Sequence, residues 1–356
     1  MRRDEAWSIA VALALSACDG GAVPPGPASG VGLAQIFESV DTVTLSDTSA
    51  TDPVGGIGAF HELPDGSFLI GDHLLPRVRH YAADGTLLAA AGRYGSGPTE
   101  LRSVGGISSS GGLIFVTDPQ NGRIQIYGPD LAHRMTLRSD LPVRRSIISI
   151  PGGFLVSIHV GREGDNFAAI DMDGTVRWTG LPPHPRIRQE AYWGSVARPG
   201  VTRVTDRLVV TDGLLYPLKV LDLNGAVVDS IDSPPPSHTE IPSVGRGAFV
   251  GRQIASTIQA WFDQFTAIGG VFTLADSMLV VASTALTSSP TEITGRADYA
   301  IDVYEAARFV KYYEDVPLPS GARVIGGGES VYVLLSEPPE PWRILRLTGL
   351  RAIIDT

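Results

Sequence analysis

One pattern recurs through most of the chain and limits its fold more than any other feature. An apolar strand is followed by a short polar turn, a second strand, and a turn closed by glycine. The pattern is clearest in GSFLIGDHLLPRVRHYAADGTLL at 66–88, GLIFVTDPQNGRIQIYGPDLAHR at 112–134 and RLVVTDGLLYPLKVLDLNGAVV at 207–228. Looser copies at 152–178, 277–313 and 330–350 bring the number of units to six. The closing turns fall at Gly85, Leu131, Gly174, Gly225, near Ala307, and at Gly349, a period of about 45 residues once an insertion ahead of the fifth unit is set aside.

A period of that size, with four short strands in each unit, describes propeller blades. The sequence therefore predicts an all-β fold, a six-bladed β-propeller of four-stranded antiparallel blades, over residues 38–356. Small and β-branched residues in VGGISS at 104–109, RSIISI at 145–150 and RVIGGG at 323–328 suit first strands crowded around an axis. Asp84-Gly85, Asp173-Gly174 and Asn224-Gly225 supply the positive φ needed by hairpins between third and fourth strands. The 41 glycines and 26 prolines agree with many turns and few helices.

The sixth unit ends without room for a fourth strand, while SVDTVTLSD at 39–47 alternates apolar and polar residues and has no unit of its own. Placed outside blade 6, this N-terminal strand closes the ring and leaves no open seam. Two segments interrupt the repeat. Residues 232–266 begin proline-rich and continue with Phe249, Ile254, Ile258, Trp261, Phe262 and Phe265 mostly on one helical face. They predict a short helical insertion, either packed on one face of the ring or forming part of a binding surface. TALTSSPTEITGRA at 284–297 is expected to be a loop.

GRYGSGPTELRSVGGI at 92–107, followed by GLIFVTDPQNGRIQIYGPDL, resembles the NHL repeat and the six-bladed propellers built from it. The likeness is close over blade 2, fair over blades 1 and 4, and weak elsewhere. Blade 3 has Ser157-Ile158-His159 where the others end their second strand in Asp72, Asp118 or Asp212. The resemblance implies the architecture. It also implies an enzymatic alternative, because NHL-like propellers resemble an amidating lyase domain and related six-bladed folds include metal-dependent lactonases.

The N-terminus carries a second signal. Arg2 and Arg3 precede an apolar stretch from Ala6 to Leu15, too short to span a bilayer. Leu15-Ser16-Ala17-Cys18 then resembles the lipobox of bacterial lipoproteins, which implies cleavage between Ala17 and Cys18 and lipidation of the Cys18 thiol. Residues 1–17 are thus expected to be a signal peptide and 18–37 a lipidated cysteine with a flexible tether. An ordinary secretory signal is the alternative. Cys18 is the only cysteine, so no intramolecular disulfide is possible. The expected location is extracytoplasmic, on the periplasmic side of a cell-envelope membrane reached through the lipid anchor.

No GxSxG, P-loop or dinucleotide fingerprint is present. The seven histidines form no HxH, HxxxH or HExxH pair, and no metal or cofactor is predicted. If calcium or zinc were bound, the ligands would come from different blades, with His61, Asp72, Asp118 and Asp212 as candidates. The aspartates are read first as structural groups that satisfy turn amides. Tyr192, Trp193, Trp261 and Phe262 are candidates for a binding surface. A net charge of −10 with no large basic cluster argues against nucleic acid. The function expected is binding of a small ligand or an envelope protein, the alternative being a metal-dependent lyase or lactonase-like hydrolase at the channel mouth.

Overall fold

The computed structural model describes residues 32–46, 53–158, 164–189, 197–243, 260–289, 292–335 and 341–351. Its strands form six four-stranded antiparallel sheets arranged as a ring. Blade 1 is β2 (Ile57–Glu62), β3 (Phe68–Asp72), β4 (Arg77–Tyr81) and β5 (Leu87–Ala91). Blade 2 is β6 (Ile107–Ser110), β7 (Leu113–Asp118), β8 (Arg123–Tyr127) and β9 (His133–Arg138). Blade 3 is β10 (Val143–Ile150), β11 (Gly153–Ile158), β12 (Phe167–Asp171) and β13 (Val176–Gly180). Blade 4 is β14 (Gly200–Val204), β15 (Arg207–Thr211), β16 (Leu218–Leu221) and β17 (Val227–Ile231). Blade 5 is β18 (Thr266–Leu274), β19 (Met278–Ser289), β20 (Glu292–Glu305) and β21 (Val310–Pro317).

Blade 6 is β22 (Arg323–Gly326), β23 (Ser330–Leu335) and β24 (Arg343–Leu350), completed by the N-terminal β1 (Phe37–Thr44), which follows the one-turn helix α1 (Leu33–Ile36). β1 runs antiparallel to β24 from Phe37 opposite Leu350 to Thr44 opposite Arg343. The ring is therefore closed by the strand that had no unit of its own, and the sheet edge left by the sixth repeat is covered. The first strands touch in cyclic order around the axis, from β2 through β6, β10, β14, β18 and β22 and back to β2.

Apolar clusters fill the spaces between successive blades. Phe60, Phe68 and Tyr81 of blade 1 meet Tyr332, Leu334 and Ile344 of blade 6, and Phe115 and Ile124 of blade 2 meet Phe154 and Val156 of blade 3. Middle strands packed on both sides lose the apolar-polar alternation, and β3 and β8 are buried along their whole length.

Strand polarity divides the ring into two faces. The second-to-third-strand turns and the connections between blades lie on one, called here the upper face. The third-to-fourth-strand hairpins lie on the other, the lower face, and are closed by left-handed residues: Gly85 (φ 89), Leu131 (φ 57), Gly174 (φ 96), Gly225 (φ 89) and Phe309 (φ 51). The fifth closing turn is thus at Phe309 rather than near Ala307.

The segment at 284–297 is not a loop. Backbone pairing continues from Thr284↔Asp298 to Ser289↔Glu292, so β19 and β20 project as one long hairpin on the upper face. Its Thr, Ser and Pro content suggested irregular chain, but cross-strand pairing outweighs such composition. The 232–266 insertion also lies on the upper face, where its described parts pack over blade 4 and α2 (Pro185–Gln189).

Candidate functional site on the upper face

The aspartates that end second strands serve the fold. Asp72 accepts the amides of Gly55 (2.7 Å), Gly56 (3.1 Å), Leu74 (3.0 Å) and Leu75 (2.9 Å) and pairs with the buried Arg79 at 3.2 Å. Asp118 accepts the amides of Arg102 and Ser103, the side chain of Asn121, and Arg123 Nε at 3.2 Å. Asp212 accepts the amides of Leu214 and Leu215, both at 2.9 Å, and burial raises its pKa. Each carboxylate closes its own blade's upper turn, and none converges with another on the axis. Among the described residues, no three His, Cys, Asp or Glu side chains group as metal ligands.

His61 lies on β2, with Nε2 2.7 Å from the Ser109 hydroxyl of β6. Burial lowers its pKa to about 4, so the ring is neutral at pH 7. It belongs to a belt of polar contacts that joins first strands toward the lower face. Ser108 and Ser149 hydroxyls lie 2.9 Å apart between blades 2 and 3, and Thr202 and Thr273 hydroxyls 2.7 Å apart between blades 4 and 5. These pairs bind blade to blade at the axis.

The aromatic candidates divide. Trp261 and Phe262 are only 4% and 3% exposed, packed with Phe265, Leu214, Leu215, Ile187 and Ile241, and so are core of the insertion rather than a binding surface. Their helical stripe was legible, but the surface that covers it comes from blade 4 and α2. Tyr192 and Trp193 lie outside the described residues, as do Ala17 and Cys18.

A buried polar cluster between blades 4 and 5 had no motif to announce it. Asp302 of β20 accepts the amide of Asp315, whose carboxylate in turn accepts the amide and hydroxyl of Ser237 in the insertion. The Tyr299 hydroxyl donates to Ser237 Oγ at 3.2 Å. Tyr216 and Tyr304 stand beside Asp302, and burial together with that carboxylate raises both phenol pKa values. Nearby, the buried Asp298 accepts the Thr284 hydroxyl at 2.5 Å and the amide of Val324 at 2.8 Å, tying blade 5 to blade 6. The only sequence signal was an acidic residue inside an apolar strand, as in Ile301-Asp302-Val303.

Arginines stand at the upper end of three blades, two of them neighbours and the third across the ring. Arg144 and Arg145 stand near the start of β10, Arg198 two residues ahead of β14, and Arg323 opens β22, donating to Ile57 O at 2.6 Å. The upper face thus combines these arginines with the insertion, the long hairpin and α2.

No protein-family model matches the chain, and no curated protein is similar to it in sequence. Solved structures are similar in fold. A member of the DUF4221 family from Bacteroides vulgatus has a TM-score of 0.65 at 13% identity, with 88% of this chain and 97% of that one covered. A protein from Bacteroides fragilis described as exported has a TM-score of 0.59 at 13% identity, covering 88% and 95%. Virginiamycin B lyase from Staphylococcus aureus has a TM-score of 0.50 at 14% identity, covering 87% and 99%. At such identities the likeness concerns the fold.

Proposed function

We propose that the chain is an extracytoplasmic lipoprotein, held to a membrane through Cys18, whose propeller binds a ligand or partner protein on its upper face. The observation that carries this reading is the opposition of the two faces. The insertion, the long hairpin and α2 all rise from the upper face, whereas β1 begins on the lower face with Phe37 opposite Leu350. A tether from Cys18 therefore meets the ring on the lower side. At up to about 3.3 Å per extended residue, 14 residues between lipid and Leu33 would let the domain stand some 45 Å from the surface. Two or more acyl chains, at about 0.8 kcal/mol per buried CH₂, give a stable anchor. The description of the Bacteroides fragilis protein as exported supports the location.

The enzymatic alternative rests on fold likeness, and fold does not decide function. The anchor is tested by Cys18→Ser, which is expected to release the protein from the membrane fraction with loss of acyl mass. The binding face is tested in intact cells with a photoreactive residue at Ser289 on the hairpin or at Asp173 on the lower face. Crosslinks from Ser289 are expected; crosslinks from Asp173 alone would reverse the reading.

A further inference from the structure

The first part of the insertion, residues 232–240, is held to the ring by polar contacts rather than by packing. Between Ile231 at the end of β17 and Ile241 in the core of the insertion, Pro235 is the one buried residue. The Ser237 amide donates to one oxygen of the Asp315 carboxylate at 3.2 Å, and the Ser237 hydroxyl donates to the other. Thr239 N–H donates to the Thr266 hydroxyl at 3.0 Å, and Thr266 N–H returns a bond to the Thr239 carbonyl at 3.1 Å. The His238 ring stands edge-on to Tyr216, the centroids 5.1 Å apart. A segment tied down in this way can lift without uncovering apolar core, so it opens at far lower cost than a blade unfolds.

Beneath that grip lies a second acid. Asp302 accepts the amide of Asp315 at 2.9 Å and is 1% exposed, and its other oxygen has no hydrogen-bond partner among the described residues. The groups around it come from three elements. β21 supplies Asp315, Glu314 and Lys311, whose Nζ lies 3.2 Å from Glu314; β20 supplies Tyr304; the upper turn of blade 4 supplies Tyr216. Lys311 favours the ionised carboxylate, while Asp315 and Glu314 oppose it. Ser237 and His238 touch Asp315 and Tyr216, two of the groups that wall Asp302 in. A charge on the enclosed oxygen would be met by neither water nor a donor, so ionisation favours whichever arrangement lets water reach it.

We propose that Asp302 and Asp315 form a proton-operated latch: while Asp302 is protonated the Asp315 bulge is seated and residues 235–239 lie closed on blade 5, and when Asp302 ionises the segment lifts and opens the upper face between blades 4 and 5. Burial raises the Asp302 pKa to about 7, so the stabilising proton is present below neutrality and is lost as pH rises through that value. His238 acts in the opposite direction. Burial lowers its pKa, Glu240 opposing, so its protonation loosens the segment only as pH falls below its ordinary 6.5. As control of a binding face the latch rests on the upper-face reading; as a movement of the insertion it does not.

The test is amide hydrogen exchange of the full-length chain in nonionic detergent at pH 6 and pH 8, read by mass spectrometry and corrected for the pH dependence of the exchange chemistry. Protection of the amides at 237–240 is expected to fall about tenfold between the two, as linkage gives for one carboxyl group leaving a site of pKa near 7. Amides of β12, in the buried middle of blade 3, should stay far better protected. In Asp302→Asn the fall should shrink below about twofold. Ser237→Ala removes a hydrogen bond to a carboxylate, so protection at pH 6 should already be about tenfold lower. Ser237 lies outside the blades, and its variant keeps the test decisive if Asp302→Asn fails to fold. A wild-type chain without the fall, a fall that survives in Asp302→Asn, or unchanged protection in Ser237→Ala would each overturn the latch. Protection in β12 as low as at 237–240 would do the same, because exchange would then report unfolding of the ring. Crosslinks from Asp173 alone, with Asp302-dependent exchange, remove the upper-face reading and leave the latch. Crosslinks from Ser289, with exchange indifferent to pH, remove the latch and leave that reading.

Discussion

The Asp302 carboxylate accepts the backbone N–H of Asp315 at 2.9 Å, one buried acid holding the chain of another. Asp315 has φ 51 and sits where the β20–β21 register slips, between Ile301↔Val316 and Val303↔Tyr313. That bulge turns the Asp315 carboxylate toward Ser237, so blade 5 grips the first part of the 232–266 insertion. The second Asp302 oxygen is buried without a hydrogen-bond partner among the described residues.

This arrangement makes stability depend on pH. Burial raises the Asp302 pKa from 3.8 to about 7, the Asp315 amide opposing the shift. Between those values the folded chain holds a proton that the unfolded chain releases. Stability contributed by this proton is present below the unfolded pKa, falls as pH rises, by up to about 1.4 kcal/mol per unit, and levels off above about 7. Asp302→Asn keeps an acceptor for the Asp315 amide and removes the titration. Denaturant melts from pH 4 to 8 should show a flatter profile for this variant and a higher midpoint at pH 8. An unchanged slope would assign the dependence to other groups.

The three second-strand aspartates should respond differently to neutralisation. Asp72→Asn removes the carboxylate charge that pairs with the fully buried Arg79 guanidinium, and Asp118→Asn does the same for Arg123. Each should cost about 3–5 kcal/mol. Asp212 has two backbone amides, and its raised pKa already reflects the cost of burying its charge. Asp212→Asn keeps the acceptor and should cost less than about 1 kcal/mol. Equal losses at all three positions, measured by urea unfolding, would contradict the distinction.

What the sequence revealed was local. Asp84-Gly85 and Asn224-Gly225 specify their own turns, and the repeat follows because each turn closes a hairpin of fixed length. The β1–β24 closure was legible because an unpaired alternating strand has few places to go. Ser237 and Asp315 lie 78 residues apart in sequence and meet only through a bulge that no composition signals. Trp261 and Phe262 carried the period of a helix face, but their burial depends on Leu214 and Ile187, residues of another blade and another connection.

Two glycine substitutions separate crowding from backbone strain. An alanine methyl at Gly106 would lie 2.0 Å from the Arg145 carbonyl oxygen, a backbone atom that cannot turn aside. Gly106→Ala should cost about 1–3 kcal/mol or more, because the β10 backbone must shift to make room. At Gly122, φ is 60 and no heavy atom lies within 4 Å of the added carbon. Gly122→Ala should therefore cost only the left-handed penalty, about 1–2 kcal/mol. Thermal melts of both variants decide the point, and a loss at Gly122 as large as that at Gly106 would contradict the distinction.

Closure of the ring sets where the chain can be shortened. A chain beginning at Gly32 keeps β1, its pairing along β24, and Phe37 within the blade 5–6 core. A chain beginning at Leu45 loses that pairing and also uncovers part of the cluster shared by blades 6 and 1, where Val43 packs against neighbours such as Phe68 and Ile344. The loss falls on a seam, so it is felt around the whole ring rather than in one blade. The shorter chain is expected to lose cooperative thermal unfolding or to aggregate through the bared edge of β24, while the longer one melts as the full chain does. Cooperative melting of the shorter chain at an unchanged midpoint would show that β1 is dispensable. Supplying residues 32–46 as a separate peptide should restore cooperativity if the missing strand is the cause.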